Sequence, residues 1–461
     1  MKQSPKDCSA REIAFQVLYA VAEKNSYANL ALKDALNKSI LSVQDRGFAT
    51  ELVYGTLRMQ ARLDFELNKL IQKGINSVNP KLLIILRMGL YQLEFMSVKP
   101  FAAVDETVRL AFWHFNKGAA GLCNAVLRNY LRMKERGEDF VYPDKTKFPV
   151  QYLEAYYSYP RFMTGYMLKR WGMEATEKFC AFCNKVDDIC ILTNTLKTTP
   201  EKLKEELEAQ GIEVFPGKYL AECFYLKNCG NPAELLQFKK GEFIVMEEGS
   251  ALCAKALSPQ KESFVLDMCA APGGKTMAMA MNMQDKGHIA AFDLHEHRAS
   301  LINDNTRRLK LKSVFASAAD SRNLGEEYIG KADYILLDAP CTGWGVLGRK
   351  ADARFKKKYE EIAELAALSY ELLCSAANYL REGGAMVYST CTITAEENEK
   401  NIERFLAEHQ DFELEEITSL LPYVKTQEEI NDLKTGMWQI LPQNQALEGF
   451  FLCRLKKKIS N

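Results

Sequence analysis

VLDMCAAPGGKT, residues 265–276, decides the fold of this protein. A short apolar strand runs into Pro-Gly-Gly and then into a helix, and glycines at such a turn let the backbone bend tightly and approach a ligand closely. From about residue 246 onward, helical segments alternate with the strand-like segments SFVLDMC, HIAAFDL, SVFASAAD, ADYILLDAP and GAMVYSTC. This alternation predicts βαβ units and a parallel sheet covered on both faces, to which WQILP and EGFFLCRLKK would add an antiparallel edge.

Acidic residues follow the second and third strands of this predicted sheet. Asp293 stands twenty positions after Gly273 and ends the second strand, and Asp320 ends the third. Open α/β sheets bind ligands outside the carboxyl ends of their strands, so Asp293 is expected to accept hydrogen bonds from ribose hydroxyls and Asp320 to meet an adenine amino group. Each acid alone could be a surface residue or a helix cap, but together they predict an adenosine-containing cofactor. The turn departs from G-x-G-x-x-G, which disfavours a dinucleotide.

Two cysteines stand at the ends of the fourth and fifth strands. LLDAPCTGWG places Cys341 shortly after Asp338, and YSTC ends in Cys391. A thiolate that adds to C6 of cytosine makes C5 nucleophilic enough to accept a methyl group, and this is chemistry that a thiol in such a crevice suits. We expect Lys275, or the N-terminus of the helix after Cys391, to lower the pKa of that thiol, and Asp338 to hold the cytosine edge.

The first 135 residues are predicted to be helical, because apolar residues recur there every three or four positions. They contain 19 Lys and Arg against 12 Asp and Glu, an excess of +7 (19 − 12), whereas the whole chain, with 60 of each, is neutral. A basic region on a neutral chain indicates a polyanionic partner, although a solvated lysine-rich surface explains it equally well. A polar linker follows near residues 134–149, and residues 150–245 show the mixed pattern of a small α+β domain.

The thirteen cysteines do not suggest a disulfide framework, because their number is odd and the chain is long. The N-terminus lacks the apolar core of a signal peptide, and no run approaches the roughly 18 apolar residues of a membrane span. We therefore expect a cytoplasmic protein with free thiols and no membrane or metal partner. Cys180 and Cys183, one helical turn apart, are predicted to be core thiols rather than a zinc or redox site.

Three motifs resemble the signatures of the RNA 5-methylcytosine methyltransferases: DMCAAPGGKT, LLDAPCTGWGVLGR and YSTCTITAEEN. The helical first region resembles the NusB-type antitermination fold that precedes the catalytic domain in bacterial 16S rRNA cytosine-C5 methyltransferases of the RsmB/Sun/Fmu type. This resemblance implies an all-α NusB-like domain, a small α+β domain and an α/β Rossmann-like methyltransferase domain. It also implies S-adenosylmethionine as cofactor, with 16S ribosomal RNA or a small-subunit assembly intermediate as partner. We expect the protein to act as a monomer.

The resemblance also assigns residue roles. In this family the cysteine of the Thr-Cys motif attacks the base and that of the Pro-Cys motif helps to release the product, and these roles map onto Cys391 and Cys341. Asp338 and Lys275 complete the predicted catalytic set. The predicted cofactor contacts are Cys269, Ala270, Ala271, Pro272, Gly273, Gly274, Lys275, Asp293, Asp320 and Asp338. The chain departs from the family after the Pro-Cys loop, where the usual Arg-His-Pro-Asp reads Arg-Lys-Ala-Asp.

The predicted domains are a helical RNA-binding domain at residues 1–140, an α+β connector at 150–245 and the catalytic domain at 246–461. RKADARFKKK, residues 349–358, carries six basic residues and one acid. We interpret it as a phosphate clamp beside the target base, the alternative being a solvated helix start. The target cytosine must leave its stack to reach a thiol in a cleft, so a single-stranded or loop cytosine is expected.

Other functions remain open at this point. The same chemistry could act on transfer RNA or on another ribosomal RNA. A DNA cytosine methyltransferase is disfavoured, because those enzymes attack with the Pro-Cys cysteine and need no Thr-Cys partner. A non-catalytic RNA-binding or antitermination factor with a relic methyltransferase domain is disfavoured by the intact cofactor motifs and the two thiols.

Overall fold

The computed structural model describes residues 9–24, 26–185, 188–421, 424 and 426–460. The chain divides into two compact units. The first comprises Met1–Lys185 and Leu347–Lys357, and the second comprises Val186–Val346 and Lys358–Asn461. Within the described residues, no helix has both the length and the apolar character that a bilayer-spanning segment requires.

The first unit is helical. Its helices are Ala10–Lys24, Ala28–Asn37, Val43–Arg58, Gln60–Leu70, Pro80–Phe95, Pro100–His114, Lys117–Glu135, Pro149–Tyr157, Arg161–Cys183 and the short Ala351–Arg354. Helix starts follow the expected chemistry: the Ser42 side chain accepts a hydrogen bond from the backbone N–H of Asp45, and Pro80 occupies the first turn behind the Asn79 cap. The helical prediction is confirmed for the described residues among the first 135.

The second unit begins with a small antiparallel sheet. Its strands are β1 (Ile189–Thr193), β2 (Glu213–Pro216), β3 (Cys223–Lys227) and β4 (Phe243–Val245), in the order β2-β3-β1-β4. Helices Pro200–Glu208 and Leu236–Lys240 accompany these strands. The first of them has Pro200 in its first turn, and the Thr199 side chain accepts a hydrogen bond from the backbone N–H of Lys202.

A larger sheet forms the rest of the second unit. Its strands are β5 (Phe264–Asp267), β6 (His288–Asp293), β7 (Val314–Ala318), β8 (Ala332–Asp338), β9 (Leu380–Thr390), β10 (Phe412–Leu414), β11 (Met437–Ile440) and β12 (Phe450–Lys457). The order is β10-β12-β9-β8-β5-β6-β7, with β11 paired to β12. The accompanying helices are Glu248–Leu257, Gly274–Asn282, Glu296–Leu309, Glu361–Tyr379, Glu399–Glu408, Gln427–Thr435 and Pro442–Gln445.

The five strands β5 to β9 pair in parallel, as predicted. β11 and β12 pair antiparallel, but β12 is not an edge, because it lies between β9 and β10. The residues of β12 from Phe450 to Leu455 are all buried, which is the pattern of a strand covered on both faces. Because β5 sits between β6 and β8, the strand order reverses there, and a crevice forms at the carboxyl ends of these strands.

The predicted fold class is therefore confirmed: a helical N-terminal part, a small α+β part and an α/β catalytic part. The domain boundaries remain predictions. The helices Pro149–Tyr157 and Arg161–Cys183, which the sequence interpretation grouped with the α+β domain, belong to the first compact unit. Residues Leu347–Lys357 also belong to that unit, although they are distant from it in sequence.

Candidate active site

The two cysteines predicted to be catalytic meet at the ends of neighbouring strands. Cys391 follows the last residue of β9, and Cys341 follows β8 by three positions. Asp338 of β8 is registered with Ser389 of β9, which brings the two loops to the same edge of the sheet. The Sγ atoms of Cys341 and Cys391 lie 3.3 Å apart, and both residues are half-buried thiols that form no disulfide. The structure thus brings together the pair that the motifs predicted.

An ion pair stands beside the thiols. Lys275 Nζ lies 2.8 Å from Asp338 Oδ2, and the Ser389 hydroxyl donates to Asp338 Oδ1 at 2.9 Å. The lysine comes from the first turn of the helix after the glycine turn, and the aspartate is the last residue of β8. A half-buried carboxylate with an ammonium and a hydroxyl as partners has a fixed orientation, so it can present its remaining acceptor positions to a ligand.

Charges and burial keep these groups in defined protonation states. Burial would lower the pKa of Lys275, but the attraction of Asp338 outweighs it and raises the pKa above the ordinary lysine value. The ammonium charge of Lys275 also interacts with Cys391. The hydrogen bond to Cys391, followed by burial, raises the pKa of Cys341 well above that of an ordinary thiol. At neutral pH the site therefore holds a protonated lysine and a neutral Cys341 thiol.

The glycine turn has the geometry of a ligand cradle. The Ala271–Pro272 peptide bond is cis, and Gly273, at φ +99°, caps the following helix in a conformation that disfavours other residues. A Cβ on Gly273 would approach the side chain of Ile302 to 3.2 Å. Cys269 and Ala270 lead into this turn, and burial raises the pKa of the Cys269 thiol.

The two other predicted acids occupy the expected strand ends. Asp293 is the last residue of β6; it is buried and pairs with Arg298, whose Nη1 lies 3.3 Å from Oδ2. Asp320 stands two residues beyond β7 and pairs with Arg322 at 2.7 Å, which lowers the pKa of this carboxyl. Both carboxylates lie on the side of the sheet edge where a ligand is expected, but their proposed ribose and adenine contacts remain predictions.

One acid of this region was missed by sequence reasoning. Asp267, the last residue of β5, is buried, accepts a hydrogen bond from the Thr276 hydroxyl at 2.6 Å, and has no partner for Oδ1 within the described structure. Burial raises its pKa to about 7. The same strand-end rule that selected Asp293 and Asp338 could have found it, because it lies inside the quoted VLDMC segment.

Two sources of thiol activation were predicted. The helix after Cys391 begins at Glu399, eight residues further along the chain, because residues 395–398 form turns. The role of its N-terminus stays a prediction. The ammonium charge of Lys275 interacts with Cys391, which supports the predicted role of this lysine.

The prediction for residues 349–358 needs a correction. Arg354 is completely buried in the first unit, where its guanidinium donates to backbone carbonyls. Its Cζ atom lies 3.8 Å from the centroid of the Tyr159 ring. Asp352 accepts from the backbone N–H of Ala28, and Lys356 Nζ donates to Ser26 O. Arg354 therefore has a structural role in the first unit and is not a phosphate contact.

The discounted signals behave as expected. Cys180 and Cys183 are buried thiols on one helix, which confirms their interpretation as core residues. Within the described ranges, no group of three or more His, Cys, Asp or Glu side chains is arranged to hold a metal ion.

Comparison with known proteins places the chain in a family. Three family models match it: "NusB family" over residues 8–132, "Methyltr_RsmF/B-like, ferredoxin-like domain" over 159–231, and "16S rRNA methyltransferase RsmB/F" over 254–456. A Bacillus subtilis (strain 168) protein named "Probable ribosomal RNA small subunit methyltransferase B" is 37% identical over 456 residues, which cover 98% of this chain and 100% of the relative. The chain belongs to the RsmB/F family of 16S rRNA methyltransferases.

Solved structures agree with this assignment. The match to the crystal structure of PH0851 covers 99% of this chain and 100% of the PH0851 chain, with a TM-score of 0.78 and 28% identity. The structure of NSun6 from Pyrococcus horikoshii with SFG covers 67% of this chain and 100% of its own, with a TM-score of 0.59 and 25% identity. The family resemblance drawn from the three motifs is therefore confirmed, as is the NusB-like character of the helical region.

Proposed function

We propose that this protein transfers a methyl group from S-adenosylmethionine to C5 of a cytosine in 16S ribosomal RNA, with Cys391 as nucleophile and Cys341 assisting product release. The observation that carries the proposal is the pair of thiols 3.3 Å apart at the ends of β8 and β9. The ribosomal substrate is supported by the family and by the name of the Bacillus subtilis relative. The NSun6 structure contains SFG, an analogue of S-adenosylmethionine, which supports the cofactor.

The residues at the crevice fit such a cofactor. A Cβ at Gly273 would crowd the Ile302 side chain at 3.2 Å, Asp293 ends β6, and Asp267 keeps one buried oxygen without a partner in the described structure. These are a backbone cradle and acceptors for hydroxyl and amino groups, which an adenosine moiety offers. S-adenosylmethionine, when bound, supplies an electrophilic methyl group on a sulfonium. Cys269 through Lys275, with Asp320 and Asp338, would complete the contacts.

Cys391 activates the base. C5 of cytosine is a weak nucleophile, but addition of the Cys391 thiolate to C6 places electron density on C5. C5 would then form the new bond to the methyl carbon as the bond from that carbon to the sulfonium sulfur breaks, so that the cofactor leaves as a neutral thioether. A base takes the C5 proton, the C5–C6 double bond is restored as the C6–Sγ bond breaks, and the thiolate is released. Lys275 favours the anionic sulfur at both ends of this sequence, because its ammonium charge interacts with Cys391.

Asp338 orients the target base. Its carboxylate is held by Lys275 and Ser389, and an ion-paired carboxylate accepts hydrogen bonds without donating any. It therefore suits the amino group at C4 of cytosine. This contact would distinguish cytosine from uracil, whose C4 oxygen cannot donate.

Cys341 is suited to the release step. Its raised pKa keeps it a neutral thiol, and a neutral S–H 3.3 Å from the Cys391 sulfur can stabilise the departing thiolate. Without this thiol, we expect the covalent protein–RNA adduct to persist.

The test is methyl transfer from labelled S-adenosylmethionine to unmodified 16S ribosomal RNA, followed by nucleoside separation. Cys391→Ala and Cys341→Ala proteins are run beside the wild type. Cys374→Ala is the matched control, because Cys374 is a half-buried thiol of the same unit on helix Glu361–Tyr379, outside the site. We expect label in 5-methylcytidine with the wild type and with Cys374→Ala, none with Cys391→Ala, and a slow-migrating protein–RNA adduct with Cys341→Ala.

Each other outcome has a definite meaning. Label that survives Cys391→Ala would refute the proposed nucleophile. Label in transfer RNA or 23S ribosomal RNA but not in 16S RNA would refute the substrate and leave the chemistry standing. Absence of S-adenosylmethionine binding in a titration would favour a non-catalytic RNA-binding factor.

A further inference from the structure

Glu397 is a buried acid that the proposed chemistry does not use directly. It lies six residues after Cys391, in the turn that precedes helix Glu399–Glu408. Its carboxylate accepts three hydrogen bonds: from the backbone N–H of Thr342 at 2.6 Å, from the Thr342 hydroxyl at 2.6 Å and from the Thr394 hydroxyl at 2.5 Å. One side chain therefore links the loop after β8 to the loop after β9.

The threonines that follow the two cysteines complete this link. Thr342 follows Cys341, and Thr392 follows Cys391. Because the Thr342 hydroxyl donates its proton to Glu397, the hydrogen bond of 2.8 Å between the two threonine hydroxyls has Thr392 as donor. A continuous chain of hydrogen bonds thus runs from the Thr392 hydroxyl to the Thr342 hydroxyl and from there to the Glu397 carboxylate.

The neighbouring residue reinforces the Thr-Cys loop. Asn398 Oδ1 accepts from the Thr390 hydroxyl at 2.6 Å, and Asn398 Nδ2 donates to Thr392 O at 3.2 Å and to Gln439 Oε1 at 2.8 Å. The Tyr388 hydroxyl donates to the backbone oxygen of Glu397 at 2.5 Å. Both sides of the Cys391 loop are therefore held, and Glu397 is placed by the same strand, β9, that carries this loop.

We propose that Glu397 is a positioning residue that sets the separation of the Cys341 and Cys391 sulfur atoms. Its carboxylate holds Thr342 and Thr394 directly, and Thr392 through the Thr342 hydroxyl. The inference rests on the proposed function, because the thiols are the reacting groups only in that chemistry. A carboxylate suits this position since it accepts only and faces donors alone. An amide there would direct its NH2 group at one of those donors and force the Cys341 loop to move.

Thiol proximity can be measured without RNA or cofactor. The reduced full-length protein is treated with diamide, and formation of the Cys341–Cys391 disulfide is followed by mass spectrometry of peptides. Glu397→Gln is compared with Glu396→Gln, which removes the same charge one residue away, at a side chain paired with Lys400 at 3.0 Å. We expect Glu397→Gln to slow disulfide formation by about tenfold, because the effective concentration of one thiol near the other falls, and Glu396→Gln to leave it unchanged.

Methyl transfer supplies the second readout. Because a displacement of about 1 Å can cost about 100-fold in rate, we expect Glu397→Gln to lower kcat by about 100-fold. KM for RNA and for S-adenosylmethionine should stay near the wild-type values, since the Glu397 side chain is fully buried and its carboxylate is hydrogen-bonded to Thr342 and Thr394. Thr342→Val keeps the backbone N–H bond to Glu397 and loses only the hydroxyl links, so intermediate losses are expected in both measurements. If thermal unfolding shows that Glu397→Gln does not fold, disulfide formation and methyl transfer are measured with Thr342→Val instead.

The outcomes separate the positioning role from the proposed reaction. An unchanged rate of disulfide formation in a folded Glu397→Gln protein would overturn the inference, whatever happens to methyl transfer. Failure of the wild type to methylate any RNA would instead defeat the proposed function, and the disulfide measurement would still report on Glu397.

Discussion

Arg354 in the first compact unit and Asp267 in the second are both ionisable side chains removed from solvent, with 0% and 1% exposure, but their surroundings differ. The two terminal nitrogens of Arg354 donate to the oxygens of Arg58 (3.2 Å), Ser158 (3.1 Å), Cys183 (3.4 Å), the Asn184 side chain (2.9 Å) and the Tyr159 hydroxyl (3.2 Å). Asp267 accepts a single hydrogen bond, from Thr276.

Each side chain keeps one buried atom without a partner in the described structure, Nε of Arg354 and Oδ1 of Asp267, but Arg354 makes five hydrogen bonds and Asp267 one. Arg354 satisfies carbonyl groups that would otherwise be buried without donors, so it stabilises the helical unit and fixes residues 347–357 to it. Asp267 is under-satisfied, and its pKa of about 7 shows the cost of keeping it charged. Under-satisfied buried groups concentrate where a protein binds ligands.

The largest effect is expected from Arg354→Met, which fills a similar volume but donates no hydrogen bond. Loss of the donors to several buried oxygens should destabilise the first unit by about 3–5 kcal/mol. The measurement is the urea dependence of amide hydrogen exchange in helix Val43–Arg58, which reports on that unit alone. Lys350→Met, at an exposed position of the same segment, should change stability by less than about 0.5 kcal/mol. Equal losses of stability in the two variants would show that the hydrogen bonds of Arg354 do not stabilise this unit.

The contrast also marks what the sequence could predict. Strand-end residues such as Asp293, Asp338 and Cys391 were placed correctly, because strand periodicity and the parallel-sheet rule determine where they lie. The role of Arg354 was not predictable from RKADARFKKK, because its partners stand 170 to 296 residues away in sequence and only tertiary packing brings them close. Likewise, the spacing of the motifs could not yield the 3.3 Å separation of the thiols, which depends on the pairing register of β8 and β9.

Asp267→Asn should stabilise the protein, whereas Arg354→Met should destabilise it. Since the folded pKa of about 7 exceeds the usual Asp value of about 3.9, the native state binds more protons between these values, and stability falls as pH rises from about 4 to about 7. The asparagine can still accept from Thr276 but never becomes charged. We therefore expect it to stabilise the cofactor-free protein by about 2–4 kcal/mol at pH 8, with little effect near pH 4.

Thermal unfolding of the second unit at the two pH values measures this effect. Asp304→Asn is the control, because Asp304 is exposed and pairs only at the surface with Arg307. A destabilised Asp267→Asn protein at pH 8 would mean that the carboxylate has a partner group which compensates its burial.

The smallest effect on stability is expected at Glu12, a carboxylate that is less deeply buried than Arg354 and Asp267. Burial would raise the pKa of Glu12, but hydrogen bonds from His114 (2.8 Å) and Gln16 (2.8 Å) outweigh it, and the pKa lies below the ordinary value. A lowered carboxyl pKa contributes stability that is present above the ordinary value of about 4.3 and is lost as pH falls through the folded value. Glu12→Gln should therefore cost about 1 kcal/mol at pH 7 and nothing at pH 2, measured by urea unfolding of the first unit. A pH-independent cost would assign the effect of Glu12 to packing and not to the charge of its carboxylate.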